Sequence, residues 1–212
     1  MNWKVLPETV FAASPIVPVM VIHRLEDAVP MAKALYEGGI HVFEITLRTA
    51  CALDAIKLIA QEMPEALVGA GTVITPAQYD LAVDAGAQFV ISPGFSPELL
   101  AHGRQSDVAL IPGIATPSEV MTAMASGYDH LKFFPAETNG GAAALKAISA
   151  PLPDVRFCPT GGINPGNVAQ YLQLDCVATV GGTWMLPADA IQNGDWETVT
   201  QLTRQAVALT QG

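Results

Sequence analysis

ALIPGIATPSEVMTAMASGYDHLKFFPA, residues 109–136, contains a complete strand, helix and strand unit. Two apolar runs, ALIPGI and HLKFFPA, flank an amphipathic segment in which Pro117 directly follows Thr116, a residue type that caps helix N-termini. Gly127 stands where this helix should end, in a position that favours a left-handed residue. The stretch therefore predicts one β/α unit of a parallel sheet.

The same unit recurs along the whole chain. Apolar runs alternate with amphipathic segments, and the period is about twenty-two residues. Eight runs are strand candidates, namely 16–22, 41–48, 67–72, 89–94, 109–114, 130–136, 156–162 and 177–182. Further helices are predicted after Thr75 and after Asn164, each of which precedes a proline, and Gly38 and Gly86 are predicted to end helices as Gly127 does.

Eight such units predict a TIM-type eight-stranded parallel β/α barrel that forms a single domain over residues 1–212. The alternative is a doubly wound open sheet of the Rossmann or flavodoxin kind. That fold would place a G-x-G-x-x-G turn after the first strand, where this sequence has His23-Arg24. The barrel bears on function because the active sites of barrels lie at the C-terminal ends of the strands.

The composition narrows the classes of partner. A net charge of -10 argues against a broad surface for nucleic acid or anionic membrane, since both need clustered Lys and Arg. No apolar run is long enough to span a bilayer, and no export signal is evident at the N-terminus. The three cysteines, Cys51, Cys158 and Cys176, form no C-x-x-C pair and suggest no disulfide framework. A cytoplasmic location is expected.

Charged residues in the strand candidate 41–48 are the first sign of a functional site. Because side chains alternate between the two faces of a strand, the polar residues Glu44, Thr46 and Arg48 should face into the barrel. Two enclosed charges are costly unless they are paired or used. A functional role is the interpretation we favour, and the alternative is that Glu44 and Arg48 form a structural ion pair or are solvated.

Lys132 lies on the inner face of the strand candidate 130–136 and is followed by two phenylalanines. It is interpreted as a nucleophilic amine, although a snorkelling or ion-paired lysine is the alternative. Such an amine must be neutral to react, which desolvation and a neighbouring cation favour, and Phe134 and Arg48 are candidates for these two influences. Glu44 in the same chamber is placed to shuttle protons during imine formation and carbon-carbon cleavage.

Paired glycines end the last two strand candidates, at Gly161-Gly162 and at Gly181-Gly182, and Thr183 follows the second pair. The loops after the seventh and eighth strands are the usual phosphate site of a barrel. Glycine allows backbone N–H groups to approach a phosphate closely. The pairs predict a phosphate site, and the alternative is that they are plain turns.

Other polar groups near the strand ends are less specific. The Thr72 hydroxyl is placed to donate to a substrate carboxylate beside Arg48, whereas the exit at Pro93 is by itself turn chemistry. The histidines show no H-x-H or H-E-x-x-H spacing, so no metal site is predicted. Cys158 is interpreted as a small core residue, because no histidine is placed to activate its thiol.

Seven motifs together resemble one family: FEITLRT (43–49), GAGTV (69–73), ISPG (91–94), IPGI (111–114), KFFPAE (132–137), RFCPTGGI (156–163) and VGGTW (180–184). From end to end the chain resembles the bacterial 2-keto-3-deoxy-6-phosphogluconate aldolases, which are also called 4-hydroxy-2-oxoglutarate aldolases. The resemblance implies a cytoplasmic, homotrimeric class I lyase of the Entner-Doudoroff pathway that needs no metal or cofactor. Its substrate would be a phosphorylated keto acid, cleaved to pyruvate and glyceraldehyde 3-phosphate.

The same resemblance implies roles for individual residues. Lys132 matches the lysine that forms the Schiff base, and Glu44 matches the carboxylate that transfers protons. The residues that match substrate-binding positions are Arg48, Thr72, Pro93, Phe134, Thr160, Gly161, Gly162, Gly181, Gly182 and Thr183. Thr183 is one departure, since relatives are expected to have serine there, and its hydroxyl can still meet a phosphate.

Two other functions compete with this one. A sugar-phosphate epimerase or isomerase would use carboxylates, often with a metal, and would form no imine. A non-catalytic sensor of sugar phosphates on the same barrel is the second. The inward-facing Lys132 separates them, because neither alternative requires a nucleophilic amine.

Overall fold

Three helices in this protein begin at a proline that follows a capping side chain, as predicted for those after Thr75 and Thr116, and two of the three are followed by a left-handed glycine. In the computed structural model, which describes residues 2–210, the side chains of Thr75, Ser96 and Thr116 each accept a backbone N–H hydrogen bond at the start of a helix whose first residue is proline. Gly86 and Gly127 follow two of these helices with φ angles of 103° and 88°. These angles are ones that glycine adopts readily.

Residues 2–210 form nine parallel strands in two sheets. They are β1 (Ile16–Met20), β2 (Val42–Thr46), β3 (Leu67–Gly71), β4 (Phe89–Ile91), β5 (Ala109–Ile111), β6 (Gly113–Ile114), β7 (His130–Phe133), β8 (Arg156–Pro159) and β9 (Val180–Gly182). The large sheet has the order β5-β4-β3-β2-β1-β9, and the small sheet has the order β6-β7-β8. Every ladder in both sheets is parallel.

Helices cover the sheets. They are α1 (Pro7–Ala12), a short 3-10 helix (Leu25–Asp27), α2 (Ala28–Glu37), α3 (Ala52–Glu62), α4 (Pro76–Asp84), α5 (Pro97–Gln105), α6 (Pro117–Ala125), α7 (Gly141–Ser149), α8 (Val168–Leu172), α9 (Ala188–Asn193) and α10 (Trp196–Ala208). Helix α2 packs against α3, α3 against α4 and α4 against α5, while α10 packs against α2. The architecture is therefore α/β, with parallel strands under a layer of helices. Within residues 2–210, no helix has the length and apolar character needed to cross a membrane.

The two sheets adjoin each other at both edges. Strands β5 and β6 are separated only by Pro112, whose carbonyl accepts a hydrogen bond of 3.0 Å from the Lys132 N–H on β7. At the other edge, isolated parallel bridges join Phe157 to Val177 and Thr160 to Gly181, which link β8 to the segment of β9. The C-terminal ends of all the strands consequently lie on one side of the molecule.

The observed strands end earlier than the predicted runs. The run 41–48 is a strand only to Thr46, and the run 156–162 only to Pro159. The residues beyond leave the extended conformation, as the positive φ angles of Gly161 and Gly162 demonstrate. The run 109–114 is divided into β5 and β6 at Pro112, because proline has no N–H to donate to a ladder.

Two details of the helix prediction are wrong. Gly38 has a φ of -75° and Gly39, with a φ of 100°, takes the left-handed position. A Cβ at Gly38 would lie 2.4 Å from Thr203 of α10, so close helix packing is what requires glycine there. The helix predicted after Asn164 begins instead at Val168, since the side chains of Asn164 and Asn167 bind the Gly162 carbonyl and do not cap α8.

Candidate active site

A buried ion pair lies at the centre of the candidate site. The Nζ atom of Lys132, on β7, donates to Oε1 of Glu44, on β2, over 2.9 Å. The side chains are 7% and 1% exposed, so the two strands bring a lysine and a carboxylate together out of contact with bulk water. Removing two charges from water is costly, which makes this pair unusual among structural features and typical of functional ones.

A glycine on the neighbouring strand makes room for Glu44. Strand β3 pairs with β2 so that Glu44 lies opposite Gly69 and Thr46 lies opposite Gly71. A Cβ added at Gly71 would lie 2.3 Å from Oε1 of Glu44. Gly71 therefore serves the carboxylate directly, a role that the sequence analysis did not assign to it.

An aromatic ring and a buried thiol lie near the amine of Lys132. Nζ of Lys132 lies 5.3 Å from the centre of the Phe134 ring, within cation-π range. The ring was predicted to desolvate the amine and favour its neutral form, whereas a cation-π contact favours the charged form. Cys158 on β8 is paired with Lys132 in the ladder. Burial raises the pKa of the Cys158 thiol to about 12, with a smaller opposing effect of Lys132. The thiol stays protonated, in agreement with a core residue.

The hydrogen bond between Lys132 and Glu44 has a clear chemical use. A proton that moves from Nζ to Oε1 leaves a neutral amine, which can attack a carbonyl carbon, and a neutral carboxylic acid, which can return the proton later. Both forms of each group are needed when an imine is made and hydrolysed. The contact between Lys132 and Glu44 allows this proton transfer in both directions without a third side chain between them.

Arg48 lies outside the strand in which it was predicted. It follows β2 in a turn and its side chain is exposed. Thr49 fixes this turn by donating from Oγ1 to the Ile22 carbonyl over 2.6 Å. Among residues 2–210, Glu44 is paired with Lys132 and Arg48 has no ion-pair partner. The suggestion of a structural ion pair between Glu44 and Arg48 is thus wrong, and Arg48 stands at the mouth of the site.

Thr72 and Pro93 lie at neighbouring strand ends and are half-buried. Thr72 has a φ of 59°, a left-handed angle that β-branched residues rarely adopt. Such a conformation costs about 1–3 kcal/mol and is found mostly at functional sites. The carbonyl of Pro93 lies against Gly113, where an added Cβ would approach its oxygen to 2.3 Å.

The predicted phosphate end consists mainly of backbone. Gly161 and Gly162 have φ angles of 101° and 81°, and we call residues 161–163 the glycine turn. Gly181 lies against the buried Thr160, because a Cβ at Gly181 would lie 2.1 Å from Oγ1 of Thr160. Gly182 is covered by the Trp184 ring, which an added Cβ would meet at 1.9 Å. Thr183 is exposed beside them.

Several side chains around the glycine turn were not predicted to belong to the site. Asn164, Asn167, Glu137 and Tyr171 all contact it or each other. The two asparagines resembled a helix start in the sequence, and Glu137 and Tyr171 carried no recognisable signal. Within residues 2–210, His, Cys, Asp and Glu side chains form no group of three that could hold a metal.

Comparison with known proteins gives consistent matches over nearly the whole chain. The model of the family KDPG and KHG aldolase matches residues 8–202. The chain is 54% identical to the KHG/KDPG aldolase of Escherichia coli K12, over 97% of both sequences. It is 55% identical to the 2-dehydro-3-deoxy-phosphogluconate aldolase of Dickeya dadantii, over 98% of this chain and 97% of the relative.

Solved structures agree with these sequence matches. The KDPG aldolase of Legionella pneumophila, with pyruvate captured at low pH as a covalent carbinolamine intermediate, has a TM-score of 0.95 and 54% identity. That comparison covers 97% of this chain and 99% of the other. The Zymomonas mobilis enzyme with 3-phosphoglycerate has a TM-score of 0.90 and 44% identity, over 96% and 95% of the two chains.

Proposed function

Because the chain belongs to the KDPG and KHG aldolase family, we propose that it uses Lys132 as the Schiff-base lysine and Glu44 as the proton-transfer group of an aldol cleavage. The protein is a lyase that cleaves 2-keto-3-deoxy-6-phosphogluconate to pyruvate and glyceraldehyde 3-phosphate. It also cleaves 4-hydroxy-2-oxoglutarate to pyruvate and glyoxylate. The observation that carries the assignment of residues is the buried contact of 2.9 Å between Nζ of Lys132 and Oε1 of Glu44.

The first half of the reaction forms the imine. The neutral Lys132 amine attacks the ketone carbon of the substrate and gives a carbinolamine. Glu44 donates a proton to the departing hydroxyl, water leaves, and the protonated imine remains. The Legionella relative was captured with pyruvate as a carbinolamine, which is the intermediate of this step.

The second half breaks the carbon-carbon bond. Glu44, now a carboxylate, removes the proton of the C4 hydroxyl group, directly or through one water molecule. The bond between C3 and C4 then breaks and the aldehyde leaves. The electron pair of that bond moves toward the imine nitrogen, which converts the protonated imine into an enamine. Protonation of the enamine carbon and hydrolysis of the imine release pyruvate and restore the amine of Lys132.

The two ends of the substrate are held by different kinds of group. Arg48 and Thr72 hold the carboxylate of the pyruvyl half, with Pro93, Phe134 and Thr160 around it. An exposed arginine at the mouth can meet an incoming anion, and the strained backbone of Thr72 supports a functional role. The phosphate is bound by the remaining substrate-binding residues, Gly161, Gly162, Gly181, Gly182 and Thr183.

A closed barrel and a trimer complete the proposal. We infer one domain over residues 1–212 with eight barrel strands, β5 and β6 counting as one strand interrupted at Pro112. The bridges between the segments of β8 and β9 support closure of the barrel. The protein acts as a cytoplasmic homotrimer without nucleic-acid or membrane partners, a view that its net charge of -10 supports. Cross-linking in solution tests the trimer.

Borohydride trapping tests the assignment of Lys132. Incubation with pyruvate and borohydride should inactivate the enzyme and add the mass of one reduced pyruvyl group, because reduction fixes the imine to the lysine. Lys132→Met should abolish both cleavage and labelling, while EDTA should change neither. Labelling that persists in Lys132→Met would place the nucleophile on another lysine, and activity without any labelling would indicate chemistry without an imine.

A further inference from the structure

The carbonyl groups of Gly161 and Gly162 in the glycine turn are directed toward the protein. The Gly161 carbonyl accepts a hydrogen bond of 3.1 Å from the Glu137 N–H. The Gly162 carbonyl accepts two, from Nδ2 of Asn164 over 3.1 Å and from Nδ2 of Asn167 over 3.0 Å. Among residues 2–210, the N–H groups of Gly162 and Ile163 donate to no protein acceptor, so they remain available to a ligand.

The two asparagines support each other as well as the turn. Oδ1 of Asn167 accepts from the Asn164 N–H over 2.8 Å, and Oδ1 of Asn164 accepts from the Gly166 N–H over 2.8 Å. The amide nitrogen and the oxygen of both side chains are thereby engaged, which leaves each side chain only one orientation. Two converging donors of fixed orientation hold the Gly162 peptide in one plane.

Glu137 supports the turn from a different side. A Cβ added at Gly162 would lie 2.6 Å from Cγ of Glu137, so the aliphatic part of this side chain lies directly against the turn. The carboxylate accepts a hydrogen bond from the hydroxyl of Tyr171, a fully buried residue of α8. Burial, and secondarily Glu137, raise the pKa of Tyr171, so its hydroxyl stays protonated and remains a donor.

We propose that Asn164, Asn167 and the hydrogen-bonded pair Glu137–Tyr171 are positioning residues, which hold the glycine turn so that its N–H groups receive the substrate phosphate. The inference rests on the proposed function, because it assumes that the phosphate lies at this turn. Two successive glycines have more conformational freedom than any other residue pair. Without side chains that fix them, binding a phosphate would cost the free energy of ordering the turn.

Glycerol 3-phosphate is a suitable probe, because it carries the phosphate end of the substrate and has no carbonyl group to react with Lys132. Its dissociation constant should be measured by calorimetry for the wild type, for Asn164→Ala, Asn167→Ala and their double variant, and for Tyr171→Phe. In the double variant we expect affinity to fall about tenfold or more, since both hydrogen bonds to the Gly162 carbonyl are lost. Tyr171→Phe should lose less, and Glu137→Gln should bind as the wild type does, because its amide oxygen still accepts from Tyr171.

Pyruvate labelling with borohydride is the second measurement on the same variants. It should proceed at the wild-type rate in all of them, because the keto acid is held at the other end of the site. Asn193→Ala, at the exposed end of α9, is the control for removing an asparagine. Melting temperatures show whether each variant is folded. If the double variant is unfolded, the affinities of the two single variants are compared with the wild type instead.

The possible outcomes separate this inference from the proposed function. Unchanged affinity for glycerol 3-phosphate in the double variant, or no binding to the wild type, would overturn the positioning role. Equal loss of phosphate affinity and of pyruvate labelling would also overturn it, since the asparagines would then only stabilise the fold. Absence of labelling in the wild type would refute the proposed function alone, and the titrations would still decide the role of the asparagines.

Discussion

The two ends of the candidate site are built on opposite principles. At the proposed pyruvate end, the proposed reactive groups are side chains buried in strands, with Lys132 and Glu44 in contact over 2.9 Å. At the proposed phosphate end, the groups that we propose for binding are backbone N–H groups of a turn, with the supporting side chains around it. Glycine is essential at both ends, at Gly71 to admit a carboxylate and at Gly162 to adopt a φ of 81°.

Each end should therefore be sensitive to a different kind of substitution. If the chemistry at the pyruvate end depends on the identity of single side chains, as we propose, exchanging one of them should lower turnover on every substrate. If binding at the phosphate end depends on the shape of the backbone, as we propose, a substitution there should change the preference between substrates.

Glu44→Gln should have the largest effect. The amide keeps the shape of the carboxylate but cannot exchange a proton with Lys132, so kcat should fall on the order of 10² to 10⁴. The loss should be the same for 2-keto-3-deoxy-6-phosphogluconate and 4-hydroxy-2-oxoglutarate. Steady-state kinetics with both substrates measure it, and the imine should still form slowly under borohydride trapping. Near-normal turnover would reduce Glu44 to a structural partner of Lys132.

Gly71→Ala tests the same end without changing a reactive group. The added Cβ would lie 2.3 Å from Oε1 of Glu44 and would push the carboxylate away from Lys132. A displacement of about 1 Å in a catalytic group costs on the order of 10²-fold in rate. Gly94→Ala is the matched control, because a Cβ at Gly94 meets no atom within 4 Å. Equal activity of the two variants would show that the position of Glu44 is not critical.

The pyruvate end could be predicted from sequence because its signals are individual residues in a periodic pattern. Alternation along residues 41–48 and 130–136 is enough to direct Glu44 and Lys132 inward, and the structure has them in contact. The same alternation failed for Arg48, because β2 ends at Thr46 and the period of two does not continue into a turn. Strand ends depend on ladder hydrogen bonds with neighbouring strands, which a single segment does not contain.

For the phosphate end, the sequence predicted the position of the turn but not the side chains around it. The paired glycines marked the turn, but the side chains that support it come from segments that the sequence places apart. Asn164 and Asn167 are typical of a helix start, and tertiary hydrogen bonds to Gly162 outweighed the capping preference. Glu137 and Tyr171 are 34 positions apart and meet only in the folded chain. The two isolated bridges between the segments of β8 and β9 likewise depend on long-range pairing.

Gly162→Ala should shift the preference between substrates. Its Cβ would meet Cγ of Glu137 at 2.6 Å in a backbone conformation with a φ of 81°. We expect kcat/KM for the phosphorylated substrate to fall about tenfold relative to that for 4-hydroxy-2-oxoglutarate, since a left-handed alanine costs about 1–2 kcal/mol. Gly86→Ala, with a φ of 103° and only an ordinary contact at 3.4 Å, is the control for the backbone cost. Equal losses on both substrates would move the phosphate site elsewhere.

Thr72 should produce the smallest effect, and it can be measured as stability. At an ordinary strand position, alanine is more stable than glycine by about 0.5–1 kcal/mol, because glycine loses more entropy on folding. At Thr72 the φ of 59° should reverse this order. The free energy of unfolding of Thr72→Gly, measured by urea denaturation, should therefore exceed that of Thr72→Ala by about 1 kcal/mol. Ala70→Gly, in the regular part of β3, should show the usual order. Both Thr72 variants lose the hydroxyl, so both should bind pyruvate more weakly, and Thr72→Ser should retain binding. If Thr72→Gly is the less stable of the two, the strain at Thr72 is absent in solution. Its left-handed backbone would then no longer support a role at the pyruvate end.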